Sequence, residues 1–302
     1  MPTAENDPGA VPATPARGEP GSVSETPGDP GATAAGVPVA AVPTPGAVGG
    51  PMRGLKGVTA AARTMLGGLA EALFPRVCVD CRGPVEDDTP FRHLCGACER
   101  GFPWIRRPAC GVCGHPFFGV VEGERTCPHC ARLDPCFGAG ASAVLLRGAA
   151  RALVIELKYH GGRQVLEDMA SVLRASWHVI DHVRDATLVP VPLHPRKQRE
   201  RGFNQSHLIA TVLAREAGGA TCVRSLLRRT VDTVTQTAFD RERRRENLKN
   251  AFALVSGATI VPRTRYVLVD DVFTTGSTLN SCAVALRDAG ALKLDVVTFG
   301  HG

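Results

Sequence analysis

The sequence predicts a parallel α/β domain preceded by a small metal-binding module and a disordered tail. Three observations carry that prediction. From residue 138 onward, short apolar runs alternate with stretches of helical period. This is the pattern of strands joined by crossover helices. Eight of the 11 cysteines lie between Cys78 and Cys130. Ten of the 23 prolines and nine of the 33 glycines lie in residues 1–50, which contain no aromatic residue.

The tail, residues 1–52, is the simplest element. Its first 50 residues hold five acids and one base, Arg17, so they carry −4, and residues 51–302 carry +10. Such a composition buries too little apolar surface to offset the entropy of ordering. The prolines follow no three-residue glycine period, which excludes collagen. Residues 53–77 read as an amphipathic helix or linker. The apolar stretch 57–74 contains Arg63 and Glu71, and roughly 16 helical residues are too few to span a bilayer. No charged-then-apolar leader opens the chain. The expectation is a cytoplasmic protein without membrane insertion, whose cysteines are thiols or metal ligands.

Residues 78–135 form the cysteine module. Cys78 and Cys81, Cys95 and Cys98, Cys110 and Cys113, and Cys127 and Cys130 make four C-x2-C pairs. Thirteen residues separate Cys81 from Cys95, and 13 separate Cys113 from Cys127. Each pair sets two thiolates on one tight turn, and two such turns close a tetrahedral zinc site. A redox C-x-x-C needs one pair in a βαβ setting, not four. Two structural zinc ions are therefore expected, with no open coordination position. Spacing allows sequential or interleaved pairing, and the repeated gap favours the sequential one. His93, His115 and His129 are surplus to eight thiolates. Cys136, Cys222 and Cys282 are isolated and read as small buried hydrophobes.

Residues 138–302 supply the α/β body. Ala141–Leu146 reads as a strand and Ala149–Leu157 as a helix ending near Lys158, Gly161 and Gly162. The span 164–180 has helical period, with Leu166, Met169, Ala170 and Leu173 on one face. Thr187–Leu193 is a strand whose Pro190 and Pro192 suit an end or edge. Asn204 is an N-cap for a helix to Ala217. Tyr266–Val269 is a buried strand, Ser277–Ala289 a helix and Leu294–Phe299 the last strand. The glycines at 138 and 140 only loosely match a dinucleotide fingerprint, with no buried strand before them, and no G-x-x-x-x-G-K-[ST] occurs.

The most informative stretch runs from Tyr266 to Thr278. A buried strand ends in Asp270 and Asp271, a small hydroxyl-rich loop follows, and a helix begins. Ligands of open α/β sheets sit beyond the carboxyl ends of strands. A helix N-terminus offers unpaired N–H groups to phosphate, and Gly276 lets the backbone approach. Thr274, Thr275, Ser277 and Thr278 add hydroxyl donors. Two carboxylates repel phosphate, so Asp270 and Asp271 should face sugar hydroxyls or Mg²⁺.

This stretch resembles the fingerprint of the type I phosphoribosyltransferases, a strand, an acidic pair and a T-T-G-x-T loop. The resemblance implies that Thr274, Thr275, Gly276, Ser277 and Thr278 hold the 5′-phosphate of phosphoribosyl pyrophosphate and that Asp270 and Asp271 hold its ribose. Phe273 replaces the usual aliphatic residue. Thr274 stands where purine-salvage members carry an Asp base, which argues against a 6-oxopurine acceptor.

The order of features is similar to the ComF family, linked to competence for DNA uptake. Phe74-Pro75, the cysteine module, Leu157-Lys158-Tyr159, the Val189–Leu193 run and Arg201-Gly-Phe-Asn204-Gln205 carry that resemblance. Gln236, Arg244, Asn247 and Phe252 extend it. It implies catalytic roles for Lys158, Asp270 and Asp271 should the protein be a transferase, and ligand contacts from Tyr159, Arg201 and Asn204, with Mg²⁺ as cofactor beside zinc. It also implies single-stranded DNA and a competence helicase as partners. Lys158 either presents an ammonium to pyrophosphate or is a solvated lysine favoured by the helix dipole. The polar segment 194–202, with four bases, reads as a lid loop or as an exposed charged loop. Residues 194–250 carry +7, which suits phosphate ligands first and nucleic acid second. The scarcity of aromatic residues argues against base stacking.

Overall fold

A computed structural model describes residues 75–119, 123, 125–230 and 251–302. The tail, the segment up to residue 74, and Gln236, Arg244 and Asn247 lie outside the described residues. In chain order the elements are α1 (Gly96–Arg100), α2 (Pro128–Leu133), β1 (Gly140–Leu145), α3 (Gly148–Tyr159), α4 (Leu166–Ala175) and α5 (Trp177–Val183). They continue as β2 (Thr187–Pro190), α6 (Pro195–Arg201), α7 (Gln205–Ala217), β3 (Cys222–Val223), β4 (Leu227–Arg229) and β5 (Phe252–Leu254). The chain closes with β6 (Arg265–Phe273), α8 (Ser277–Asp288) and β7 (Lys293–His301).

Five strands form one parallel sheet in the order β1-β7-β6-β2-β3. β6 lies at its centre because its side chains are buried on both faces, as a parallel strand requires. Val267 and Val269 point into a core shared with α3, α4, α5 and α7. Tyr266 and Leu268 point into a second core shared with α8, β4 and β5. This is the two-residue period of a strand read from burial. Each fully buried Leu or Val contributes about 1.5–3 kcal/mol.

The cysteine module is divided between these cores. Cys78, Leu94 and Cys95 belong to the first, and Cys110, Cys113, Cys127 and Cys130 to the second. The segment between the halves covers the free edge of β1. Ile105 N donates to Ala143 O at 3.0 Å, and Leu145 N donates to Pro103 O at 2.9 Å. Gly140 permits this docking. Its N–H donates to Gly111 O at 2.9 Å, and a Cβ there would run into the Val112 carbonyl. Glycine serves ribbon packing at this point.

Three readings change. The span 164–180 is not one helix: Ser176 ends α4, its N–H donating to Val172 O and Leu173 O and its Oγ donating to Val172 O at 2.9 Å. A serine that bonds the backbone in this way competes with helix continuation. Residues 195–201 are a helix instead of a loop. Pro195 opens it and His194 Nδ1 accepts from Arg196 N at 3.3 Å. Cys222 is exposed on β3 and Cys136 only half-buried, whereas Cys282 is buried as expected.

Candidate functional site

The eight paired thiols gather sequentially into two groups. Cys78, Cys81, Cys95 and Cys98 form one and Cys110, Cys113, Cys127 and Cys130 the other, with all sulfurs of a group within 4.8 Å of one another. Tetrahedral sulfurs at 2.3 Å from an ion stand about 3.8 Å apart. Cys81 Sγ and Cys95 Sγ are 3.6 Å apart, and Cys113 Sγ and Cys127 Sγ 3.7 Å. Backbone N–H groups point at the sulfurs: Gly83 N to Cys81, His115 N to Cys113 and Cys127 N to Cys110, at 3.4, 3.4 and 3.2 Å. A side-chain hydrogen bond with Cys130, followed by burial, pushes the Cys113 thiol well up. Burial, followed by the Cys95 thiol, does the same to Cys98. Zinc would hold these sulfurs as thiolates, and both groups fit it as closed structural sites.

At the carboxyl end of β6 the acid pair is folded over itself. Asp271 N donates to Asp270 Oδ1 at 2.9 Å, and Ser206 Oγ, from the first turn of α7, donates to the same oxygen at 2.9 Å. Lys158, in the last turn of α3, forms an ion pair with Asp271. The Asp270 carboxyl is pushed up to about 8 by desolvation, by the charge of Asp271 and by its side-chain hydrogen bond, against the lowering effect of Ser206. Two carboxylates so placed share negative charge that a cation or hydroxyl donors would relieve. Ser206 escaped the sequence reading. Its only signal is a hydroxyl two residues after the Asn204 cap.

The loop Thr274–Gly276 carries β6 into α8. Gly276 takes φ +70°, and a Cβ there would sit 2.6 Å from Phe273 Cζ and 2.7 Å from Leu133 Cδ2. Only glycine fits. Thr275 Oγ1 donates to Ser277 Oγ at 3.0 Å and accepts from Ser277 N at 3.4 Å. Thr274 and Thr275 are exposed, while Ser277 and Thr278 are half-buried. Phe273 is buried and stacks on His301 with ring centroids 5.1 Å apart. His301 is held neutral: burial and then His115 push it down to about 4.

The remaining residues of interest cluster where α3 meets the α6–α7 turn. The Arg201 guanidinium lies 5.7 Å from the centroid of the exposed Tyr159 ring. Arg163 lies 4.7 Å from that of Phe203. Asn204 caps α7, its Oδ1 accepting from Ser206 N at 3.0 Å and its Nδ2 donating to Val191 O at 2.9 Å. Thus Lys158, Asp270 and Asp271 come together through direct contacts. Tyr159 and Arg201 pair with each other, and Asn204 acts on the backbone around them.

An acid pair, a hydroxyl loop and a helix start at the end of a central parallel strand give the phosphoribosyltransferase-like class of α/β protein, here with a metal module in front. That module matches the double zinc ribbon domain over residues 69–131. Over 231 residues the chain is 30% identical to DNA utilization protein YhgH of Salmonella typhimurium, covering 74% of this chain and 95% of that one. It is 29% identical to Competence protein F of Haemophilus influenzae, covering 72% and 94%, and 22% identical to Competence protein ComFC of Bacillus subtilis, covering 71% and 90%. The chain belongs to the ComF family. A hypoxanthine phosphoribosyltransferase structure from Staphylococcus aureus aligns at 14% identity and a TM-score of 0.28, over 45% of this chain and 62%, less than two thirds, of its own. No helix among the described residues is long and apolar enough to cross a membrane.

Proposed function

We propose that the chain binds phosphoribosyl pyrophosphate with Mg²⁺ at the β6–α8 junction, within a role in DNA utilization. The supporting observation is the carboxyl end of β6. There Lys158, Asp271, Asp270 and Ser206 form one connected group beside an exposed threonine loop. Asp270 and Asp271 take the ribose hydroxyls, and the Thr274–Thr278 loop takes the 5′-phosphate on the α8 N-terminus. Lys158 and Arg201 face the pyrophosphate, with Tyr159 and Asn204 shaping the approach. Mg²⁺ would sit with the acid pair and neutralise pyrophosphate charge. In the transferase form, the C1–O bond breaks and a C–N bond to a nitrogen acceptor forms. Pyrophosphate leaves with the electron pair, and the acceptor's proton passes to solvent. In this reading the protein works in the cytoplasm, where thiols stay reduced for zinc.

Calorimetric titration of phosphoribosyl pyrophosphate with Mg²⁺ tests the binding. Pyrophosphate release with a panel of bases and amines tests the transfer. Heat of binding without release in any pairing removes the transferase step and leaves a sensor. No binding removes the site.

A second reading, handling of single-stranded DNA, draws on one groove. Both tryptophans of the chain, Trp104 and Trp177, line a cavity of about 550 Å³ with Arg106, Arg107 and His178. Trp177 is 69% exposed. Aromatic faces beside arginines are what stacked bases need, so two well-placed rings offset a low aromatic content. The basic stretch 194–250 lies partly outside the described residues. In this reading DNA brings the competence helicase as its partner. Titrating an oligothymidine while following tryptophan fluorescence should show quenching that weakens steeply with salt. No quenching at low salt would refute it.

A further inference from the structure

The second ribbon reaches the threonine loop directly. His129 lies between the ligands Cys127 and Cys130, and its Nε2–H donates to the Thr275 carbonyl at 3.0 Å. Its ring meets Phe273 edge-on, with centroids 6.5 Å apart. Leu133, one turn further along α2, forms the wall that leaves room only for glycine at position 276. Just past α2, Cys136 N donates to Asn280 Oδ1 at 2.7 Å and Cys136 O accepts from Arg287 Nε at 2.9 Å. The loop is thus held from its own side by β6 and α8, and from the other by the ribbon.

What orients α2 is the cluster itself. α2 has six residues, follows Cys127 as its N-cap and contains Cys130. A helix this short has no stability of its own. Its direction is set by the two sulfurs at its start and by the partners, Cys110 and Cys113, to which an ion would tie them. Fixing the Thr275 carbonyl on His129 also fixes the next peptide plane. Because that peptide is trans, the Gly276 N–H points away from the ribbon.

We propose that the second four-cysteine site and the threonine loop are one binding unit. Zinc at Cys110, Cys113, Cys127 and Cys130 holds the loop in its ligand-ready shape, with His129 and Leu133 as positioning residues. The proposal rests on the reading of this loop as a phosphate site. It makes sugar-phosphate affinity depend on zinc in one ribbon. By linkage, the bound ligand must tighten that zinc by the same factor.

The test uses the full chain as wild type, His129→Ala and His129→Gln. Amide exchange across residues 274–280 is measured without ligand, bound zinc is counted, and phosphoribosyl pyrophosphate with Mg²⁺ is titrated. His129→Ala should keep both zinc ions, exchange faster in the loop and bind roughly fivefold more weakly, the effect of one hydrogen bond. His129→Gln, which restores an N–H donor at similar reach, should recover both properties. The ligand should also slow release of one of the two zinc ions to a chelator. Unchanged exchange in His129→Ala overturns the strap, as does unchanged affinity where the wild type binds. If the wild type does not bind, the ligand reading fails, and the exchange result alone decides whether the ribbon holds the loop.

Discussion

In the first ribbon Cys78 N donates to Gly83 O at 2.8 Å, and in the second Cys110 N donates to His115 O at the same distance. Glu99 N reaches Cys95 O in one, and Ala131 N reaches Cys127 O in the other, at 2.9 and 3.0 Å. The turns repeat nearly bond for bond. Their surroundings do not. Cys81 is exposed and Cys98 half-buried in the first, whereas all four sulfurs of the second are buried. The first ribbon docks on α4 through one carboxylate: Asp168 accepts from Arg92 N at 2.8 Å and from His93 N at 2.7 Å. The second docks on β1 and on the threonine loop. One plan used twice yields a contact on helix α4 in one case and on β1 and the threonine loop in the other. Position in the fold, and not the metal geometry, separates the two roles.

Breaking each site in turn should expose the difference. Cys127→Ser should lose one zinc and several kcal/mol of stability, on the order of 10 °C in Tm, and with them sugar-phosphate binding. Cys81→Ser, at the exposed site, should lose one zinc with a smaller fall in Tm. Metal analysis and calorimetry check both, and equal falls would erase the contrast. Next in size is the α4 contact. Asp168→Ala strips the partner from two backbone N–H groups and should cost roughly 2–4 kcal/mol in denaturant unfolding. Gly276→Ala forces a Cβ against Phe273 and Leu133 in a left-handed backbone, costing roughly 1–3 kcal/mol. Its damage should centre on exchange in the loop and the second ribbon.

The smallest effect is in pH. Asp270 is raised from an ordinary 3.8 to about 8, so the folded chain keeps a proton that the unfolded chain releases between those values. Stability from this group is present below about pH 4 and falls as pH rises toward 8. Binding of a cation or sugar hydroxyls to the ionised pair runs the other way. Affinity for phosphoribosyl pyrophosphate with Mg²⁺ should climb toward pH 8 and level off above it. A flat profile from pH 6.5 to 8.5 would show that Asp270 is already ionised.

The repeated 13-residue gap exposed both zinc sites because their ligands are neighbours in sequence. The Tyr266–Thr278 stretch was legible for the same reason, since strand, acids, loop and helix are contiguous. Residues that act across the fold were not. His129 meets Thr275 across 146 positions and Asp168 meets His93 across 75. In sequence His129 was one histidine too many, and Asp168 an acid on a helix face. The helix at 195–201 was hidden because its opening cap is His194, a weak signal beside Ser or Asp. Strand order was also hidden, because it depends on crossover connections between distant segments that leave no local signal.

The most direct test of the account is calorimetric titration of phosphoribosyl pyrophosphate and Mg²⁺ into the wild type and into an Asp270→Asn, Asp271→Asn double variant, with zinc counted in both. The wild type should bind, the variant should show no measurable binding, and each should hold two zinc ions per chain. Retained affinity in the double variant would contradict the site proposed at the β6–α8 junction.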